Sequence, residues 1–470
     1  MNSNPTQPAA GPAPYDSLWH LVAMGVLTPE HTPNGWSCTS PANRPTRVAV
    51  IDTSVAFAHP NLVGAVNTSL ALDLFSARLG SFSGRGPTDT LGTLILGDSA
   101  ALVEGLPLST ARLAELRSRL AVGQPAWFKG IAPATSAVFS AHVTAMAGLI
   151  GARPTRVAAQ QSSLPSSDGM IALPYCGVDP TCDIIPISTN FDADPEALIL
   201  AFLYADLINA DVIVLPRVIP DPLRTLPELS PYVFDDLADQ TLAELSAPNP
   251  MSNTEKDLWD ELLEIIVRVS HRRPVVCAAG NANEEYGAYP ANFASEENGL
   301  ISVGAINAKG WHCSYSTMRN LTIWAPSTDA ERWDRAEVRL DVRAPDYDAE
   351  VVPVPNNNDR YSRFDIISTD VPGMGGYSIS PYPGGGSADQ GAIREYGSYY
   401  CRFGGTSAAS AQVAGLLSLA QSTGMLPQGC SGIEAKSWML ANAVPLSTDR
   451  GSILCASLNG NASFPDVRED

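Results

Sequence analysis

The chain has 470 residues, 45% of them hydrophobic and 17% charged, with a formal net charge of −20. That is ample apolar material for one large domain or two. The acidic balance excludes a general nucleic-acid or anionic-membrane binder, since both need a basic face. No run approaches the roughly 18 uninterrupted apolar residues of a membrane span. The opening MNSNPTQPAAGPAPYDS has no basic segment followed by an apolar one. It reads as a flexible tail over residues 1–16 rather than a secretory signal.

In chain order, short apolar runs alternate with helix-like segments. Arg47 to Ile51 (RVAVI) is the first predicted strand, followed by Asp183 to Ile187, Val212 to Leu215, Val275 to Ala279, Leu300 to Gly304 and Leu321 to Ala325. Continuous apolar runs of this length suit parallel strands covered on both faces. Ser109 precedes a helix with Leu113, Leu116 and Leu120 on one face. Asp194-Pro195-Glu196 opens another with an N-cap and a proline at the first helical position. A third starts near Thr254, with Leu258, Leu262, Ile265, Ile266 and Val269 on one face. The alternation predicts an α/β three-layer fold with a mostly parallel central sheet, whose site belongs at the carboxyl ends of the strands. Residues 63–138, 217–256 and 326–398 read as insertions on this frame. The Gly/Pro/Ser-rich end of the last reads as a long surface loop or a lid over substrate.

The eight cysteines include no C-x-x-C pair, which argues against a zinc ribbon. Cys176–Cys182 and Cys430–Cys455 are the local disulfide candidates. With no signal peptide, reduced and mostly buried thiols in a cytoplasm are the preferred reading.

Small residues surround Ser407 in RFGGTSAASAQVAGLLSLAQ, Arg402 to Gln421, at the start of a helix. Close packing is one explanation. The other is a nucleophile whose oxyanion is held by free amides at a helix N-terminus. The choice depends on a base and a carboxylate. Among six histidines, His142 begins AHVTAMAGLIGA, which predicts a helix start suited to close approach; His59 in AHPNL reads as a structural turn residue. Asp52 ends the strand RVAVI, where an active-site carboxylate belongs, although a strand-ending Asx turn is the common alternative. Asn281 follows a strand and a glycine in VVCAAGN; its amide is a candidate oxyanion donor alongside the Ser407 N–H, or an ordinary turn asparagine.

Taken together, VAVIDTS, HVTAMAGLIG, AAGN and GGTSAASAQVAG resemble the four active-site blocks of subtilisin-like serine peptidases, in that family's order of Asp, His and Ser. HPNL, GVDPTCDIIPI, NADVIVL, YPANF, LISVGAIN and LTIWAP extend the resemblance over about residues 45–425. It implies a subtilisin-like fold with large loop insertions, here a domain over 17–460 and a tail over 461–470. It implies a serine endopeptidase acting through Asp52, His142 and Ser407, with Asn281 as oxyanion donor. The strand segment Pro216, Arg217 and Val218, and the wall formed by Ala278, Ala279 and Gly280, would then contact substrate.

Several positions depart from the family's pattern. Val143 replaces the glycine after the histidine, Ala411 and Gln412 replace a proline and a histidine, and Asp52-Thr53-Ser54 replaces Asp-x-Gly. Pro216-Arg217-Val218 stands for Ser-x-Gly, and proline has no N–H to offer an extended substrate. No metal or cofactor is expected, and no loop is assigned to calcium. The expected partner is a protein or peptide substrate, with no nucleic acid and no membrane. Fifty-one residues precede Asp52, and on that length no folding-assisting prodomain is expected. Restraint by the insertions or by a regulatory protein partner is therefore expected. The competing class is a silent subtilisin-like scaffold that binds a peptide or protein partner. An α/β-hydrolase esterase fits poorly, because it needs G-x-S-x-G and the order Ser, acid, His.

Overall fold

The computed structural model of the chain describes residues 18–34, 44–74, 82–85, 96–120, 128–131, 139–158, 170–189, 194–217, 219, 253–285, 287–319, 321–328, 364–371, 399–448 and 451–465. Its central sheet contains β1 (Arg47–Asp52), β2 (Leu72–Asp73), β3 (Asp183–Ser188), β4 (Val212–Leu215), β5 (Val275–Ala278), β6 (Leu300–Ile306), β7 (Ile323–Pro326), β8 (Val444–Thr448) and β9 (Gly451–Cys455). Their order is β8-β9-β7-β6-β5-β4-β1-β3-β2. Every pairing is parallel except the β8–β9 hairpin at one edge.

Helices cover both faces: α1 (Trp19–Ala23), α2 (Pro107–Arg119), α3 (Phe139–Gly151), α4 (Pro195–Leu207), α5 (Asn253–Arg272), α6 (Gly405–Ser422) and α7 (Gly432–Asn442). The period of two along each strand divides the core. Val48, Val50, Val212, Val214 and Val276 pack with α3 and α6. Ala49, Ile51, Ile213, Leu215 and Cys277 pack with α2, α4 and α5. These inner strands are therefore apolar on both sides, and this produced the continuous hydrophobic runs of the sequence.

Element boundaries differ from the predicted ones where distant residues supply the caps. α2 begins at Pro107, before Ser109, because the Glu261 carboxylate on α5 accepts the Leu108 and Ser109 N–H groups at 3.1 and 2.6 Å. α3 begins at Phe139, so His142 lies one turn into the helix rather than at its start. Within 63–138, Leu72–Asp73 joins the sheet edge and 82–85 pairs with 128–131. Most of 217–256 and 326–398, including the lid-like stretch, lies outside the described residues. Among the described residues, no helix is long and apolar enough to cross a membrane.

A short antiparallel pair, Ile367–Thr369 with Tyr400–Arg402, leads the chain into α6. It is fastened to α3: Ser368 Oγ donates to the Ala145 carbonyl at 2.5 Å and Thr369 Oγ1 to that of Thr144 at 2.7 Å. His59 anchors the same end from the other strand, at Tyr399. The Asn61 N–H donates to His59 Nδ1 at 3.1 Å, so the ring proton sits on Nε2 and is donated to the Tyr399 carbonyl at 2.7 Å. This is a structural histidine in a turn. Burial lowers its pKa to about 4, and lowers that of the fully enclosed His20 to about 3.

Both rings are neutral when folded, whereas an unfolded imidazole takes up a proton near pH 6.5. Between about pH 6.5 and 4 the unfolded chain therefore binds more protons, and stability falls as the pH drops through that window. Urea melts from pH 7 to 4.5 are expected to show this decline, with a shallower one in His59→Gln; an equally steep decline in the variant contradicts the assignment.

Candidate active site

Asp52 is fully buried at the carboxyl end of β1. Its Oδ1 accepts the Thr53 N–H at 2.7 Å. Its Oδ2 meets His142 Nδ1 at 2.6 Å. Burial opposes ionisation of this carboxyl. The facing His142 charge and hydrogen bond, the Arg217 guanidinium and the Thr53 N–H outweigh it and hold the pKa below the usual value. The pair fixes the tautomer of His142, with Nδ1 toward the carboxylate and Nε2 left for another partner. Phe403 packs against the imidazole, its ring centroid 5.5 Å away at an interplanar angle of 68°.

Ser407 is the third residue of α6, after the N-cap Gly404. The first intrahelical bond runs from the Ala408 N–H to the Gly404 carbonyl, so the Ser407 N–H has no acceptor within its helix. Its hydroxyl donates to the Pro216 carbonyl at 2.5 Å. Among the described residues, no hydrogen bond joins it to His142. The small residues of α6 also serve packing: a Cβ on Gly415 would lie 2.7 Å from Val178 Cβ and 3.1 Å from the Ile150 carbonyl oxygen of α3. Close packing, one reading of the serine block, therefore holds for this helix.

Asn281 is held beside that helix start. The Thr406 N–H and hydroxyl both donate to its Oδ1, at 2.8 and 2.9 Å. A backbone N–H can only donate, so the atom it meets is oxygen and Nδ2 is the donor end turned elsewhere. Thr406 Oγ1 in turn accepts the Gly280 N–H at 3.1 Å, joining the end of β5 to α6. The Gly405 N–H donates to the Tyr315 hydroxyl at 3.0 Å, and the Gly405 carbonyl accepts from Ser327 at 2.9 Å. Thr406 stood inside the recognised sequence block without an assigned role. Tyr315 carries no local signal, because its contact with Gly405 depends on tertiary folding.

The residues read as substrate contacts are placed as follows. Pro216 and Arg217 are buried at the end of β4, with Arg217 Nη2 donating to Thr189 Oγ1 at 2.8 Å. Val218 lies outside the described residues. Ala278, Ala279 and Gly280 are buried where β5 leaves the sheet, and the Ala279 N–H donates to the Val303 carbonyl at 3.1 Å. Among the described residues, Cys176, Cys182, Cys277, Cys313, Cys401, Cys430 and Cys455 form no disulfide, so neither local candidate pair is joined; Cys38 lies outside the described residues. Among the described residues, no group of three or more His, Cys, Asp or Glu side chains is arranged to hold a metal ion.

Gly405 has φ +77°, and a Cβ there would lie 3.1 Å from Asn281 Nδ2. Gly405→Ala is expected to cost about 1–2 kcal/mol from backbone strain alone. Thermal melts check this, and an unchanged melting temperature contradicts it.

A search of curated protein sequences finds no match to this chain. Solved structures similar to it include a cold-adapted subtilisin-like serine proteinase, with 12% identity and a TM-score of 0.45, covering 95% of this chain and 99% of that one. The nisin leader peptidase NisP from Lactococcus lactis has 14% identity and a TM-score of 0.48, covering 94% and 93%. A lanthipeptide protease has 15% identity and a TM-score of 0.48, covering 94% and 91%. The family model of the subtilase family matches residues 43–461, and the chain belongs to that family.

Proposed function

We propose that the chain is a serine endopeptidase that cleaves protein or peptide substrates through an acyl-enzyme. The observation that carries this reading is the buried 2.6 Å contact between His142 Nδ1 and Asp52 Oδ2, at the sheet end where α6 presents Ser407. Ser407 Oγ attacks the scissile carbonyl while its proton passes to His142 Nε2. Asp52 fixes the tautomer and stabilises the imidazolium. Asn281 Nδ2 and the Ser407 N–H receive the negative charge that develops on the carbonyl oxygen. The proton on His142 then goes to the leaving amine, and water repeats the sequence to release the acid. In this reading Pro216, Arg217 and Val218 border the extended substrate, and Ala278 to Gly280 form a wall for the residue before the cut.

The hydroxyl's bond to the Pro216 carbonyl favours a second reading, a subtilase scaffold that binds a peptide without cleaving it. In the peptidase reading, rotation about the Ser407 Cα–Cβ bond transfers the hydroxyl from Pro216 to His142 when substrate enters. A reducing cytoplasmic setting belongs to the same reading; burial pushes the Cys277 and Cys455 thiols up to about 12. Restraint by the insertions or by a protein partner belongs to the same reading, and full activity of the purified chain on its own contradicts that part.

Fluorophosphonate labelling at neutral pH tests the central assignment. Labelling of the wild type that is lost in Ser407→Ala and His142→Ala is expected. Labelling that survives in Ser407→Ala, or wild type that stays unlabelled even after residues 372–391 are trimmed, overturns it. Asn281→Ala is expected to lower kcat by roughly a hundred- to a thousandfold with little change in KM, the range for losing one oxyanion donor. An unchanged kcat removes Asn281 from the site.

A further inference from the structure

The sheet places β4, β1 and β3 side by side. Their carboxyl ends carry Arg217, Asp52 and Thr189 respectively. Neighbouring strands lie about 4.8 Å apart, so a side chain that leaves the end of β4 for the end of β3 must cross the end of β1. Arg217 makes that crossing, with Nη2 donating to Thr189 Oγ1 at 2.8 Å. Thr189 is itself tied to the Asp52 backbone. Its N–H donates to the Asp52 carbonyl at 2.6 Å and its hydroxyl to the same oxygen at 3.4 Å. Ser188 beside it donates to the Thr53 carbonyl at 3.3 Å and accepts from Ser54 at 3.1 Å. The guanidinium is thus the far end of a hydrogen-bonded strap across the base of the Asp52–His142 pair, and only 7% of the arginine is exposed.

We propose that Arg217 is a positioning residue for the Asp52–His142 pair: its buried guanidinium, tied through Thr189 to the Asp52 backbone, keeps the carboxylate charged and aimed at the imidazole. The proposal rests on the peptidase reading, and it gives Arg217 a role within the reaction machinery besides any contact with substrate. A permanent cation suits this place, because guanidinium stays charged at every working pH. Among the described residues, the charged groups that bear on Asp52 are His142 from α3 and Arg217 from the end of β4, and the uncharged Thr53 N–H adds a hydrogen bond. Both cations favour the ionised carboxyl. Removing Arg217 takes one away, so the pair gains proton affinity and its titration moves to higher pH.

The experiment is a pH titration of the Asp52–His142 pair followed by the imidazole nitrogen resonances of 15N-histidine-labelled full-length protein. It uses wild type, Arg217→Met and Arg217→Lys, with kcat/KM for a peptide substrate measured across the same range. In Arg217→Met the midpoint, and the acid limb of kcat/KM with it, are expected to rise by about half a pH unit or more. Arg217→Lys keeps the charge and is expected to stay with the wild type. A folded Arg217→Met with an unmoved midpoint overturns the proposal, since a merely structural arginine would change stability and leave the titration alone. Should Arg217→Met fail to fold, Thr189→Val cuts the strap and keeps the charge. A lower kcat with KM held is expected for it, and wild-type kinetics overturn the proposal. Absence of turnover in the wild type would strike the peptidase reading, whereas the nuclear resonance titration decides the role of Arg217 in either case.

Discussion

The site depends on one buried contact, the 2.6 Å approach of His142 Nδ1 to Asp52 Oδ2. A carboxylate removed from water is costly unless charge and hydrogen bonds surround it. Here the imidazole, the Thr53 N–H and the Arg217 guanidinium supply them. The parallel sheet places the carboxylate at a strand end, where a helix on the neighbouring layer can bring a histidine to it. Loss of the Asp52 charge would leave the imidazole without the partner that sets its tautomer.

The rest of the fold holds the other candidate site residues in register with that pair. α3 carries His142, and α6 carries Ser407, in the same layer. Small residues let the two helices approach, with Gly415 against the Ile150 backbone. The short strand pair before α6 is pinned to α3 by Ser368 and Thr369, and to the turn after β1 by His59. The helices that carry the serine and the histidine are thereby held against the same strand pair, while side chains join the histidine to the aspartate. Asn281 is joined to the same frame by Thr406, which spans the end of β5 and the first turn of α6.

Much of this was legible in the sequence because the signals were local. The runs RVAVI, VIVL and VVCAA are apolar on both sides, and each becomes a strand of the sheet within a residue of its predicted end. Asp194 and Pro195 mark the start of α4 because the cap lies in the chain itself. What escaped depended on distant partners. The start of α2 is set by Glu261 on another helix, so no local pattern marks it. Tyr315 and Thr189 enter the site from loops without a motif. Arg217 stands out in the sequence only as a departure in a strand that resembles a substrate strand; its bond to Thr189 arises once β4, β1 and β3 are side by side.

The most direct measurement of the central claim is acid-quenched mass spectrometry of the protein during turnover of a peptide, with the adduct mapped to its residue. The account predicts a mass gain on Ser407 equal to the acyl portion on the amino side of the cut, absent from His142→Ala. A peptide that binds and is recovered intact, with Ser407 unmodified in protein that has folded fully, would contradict it.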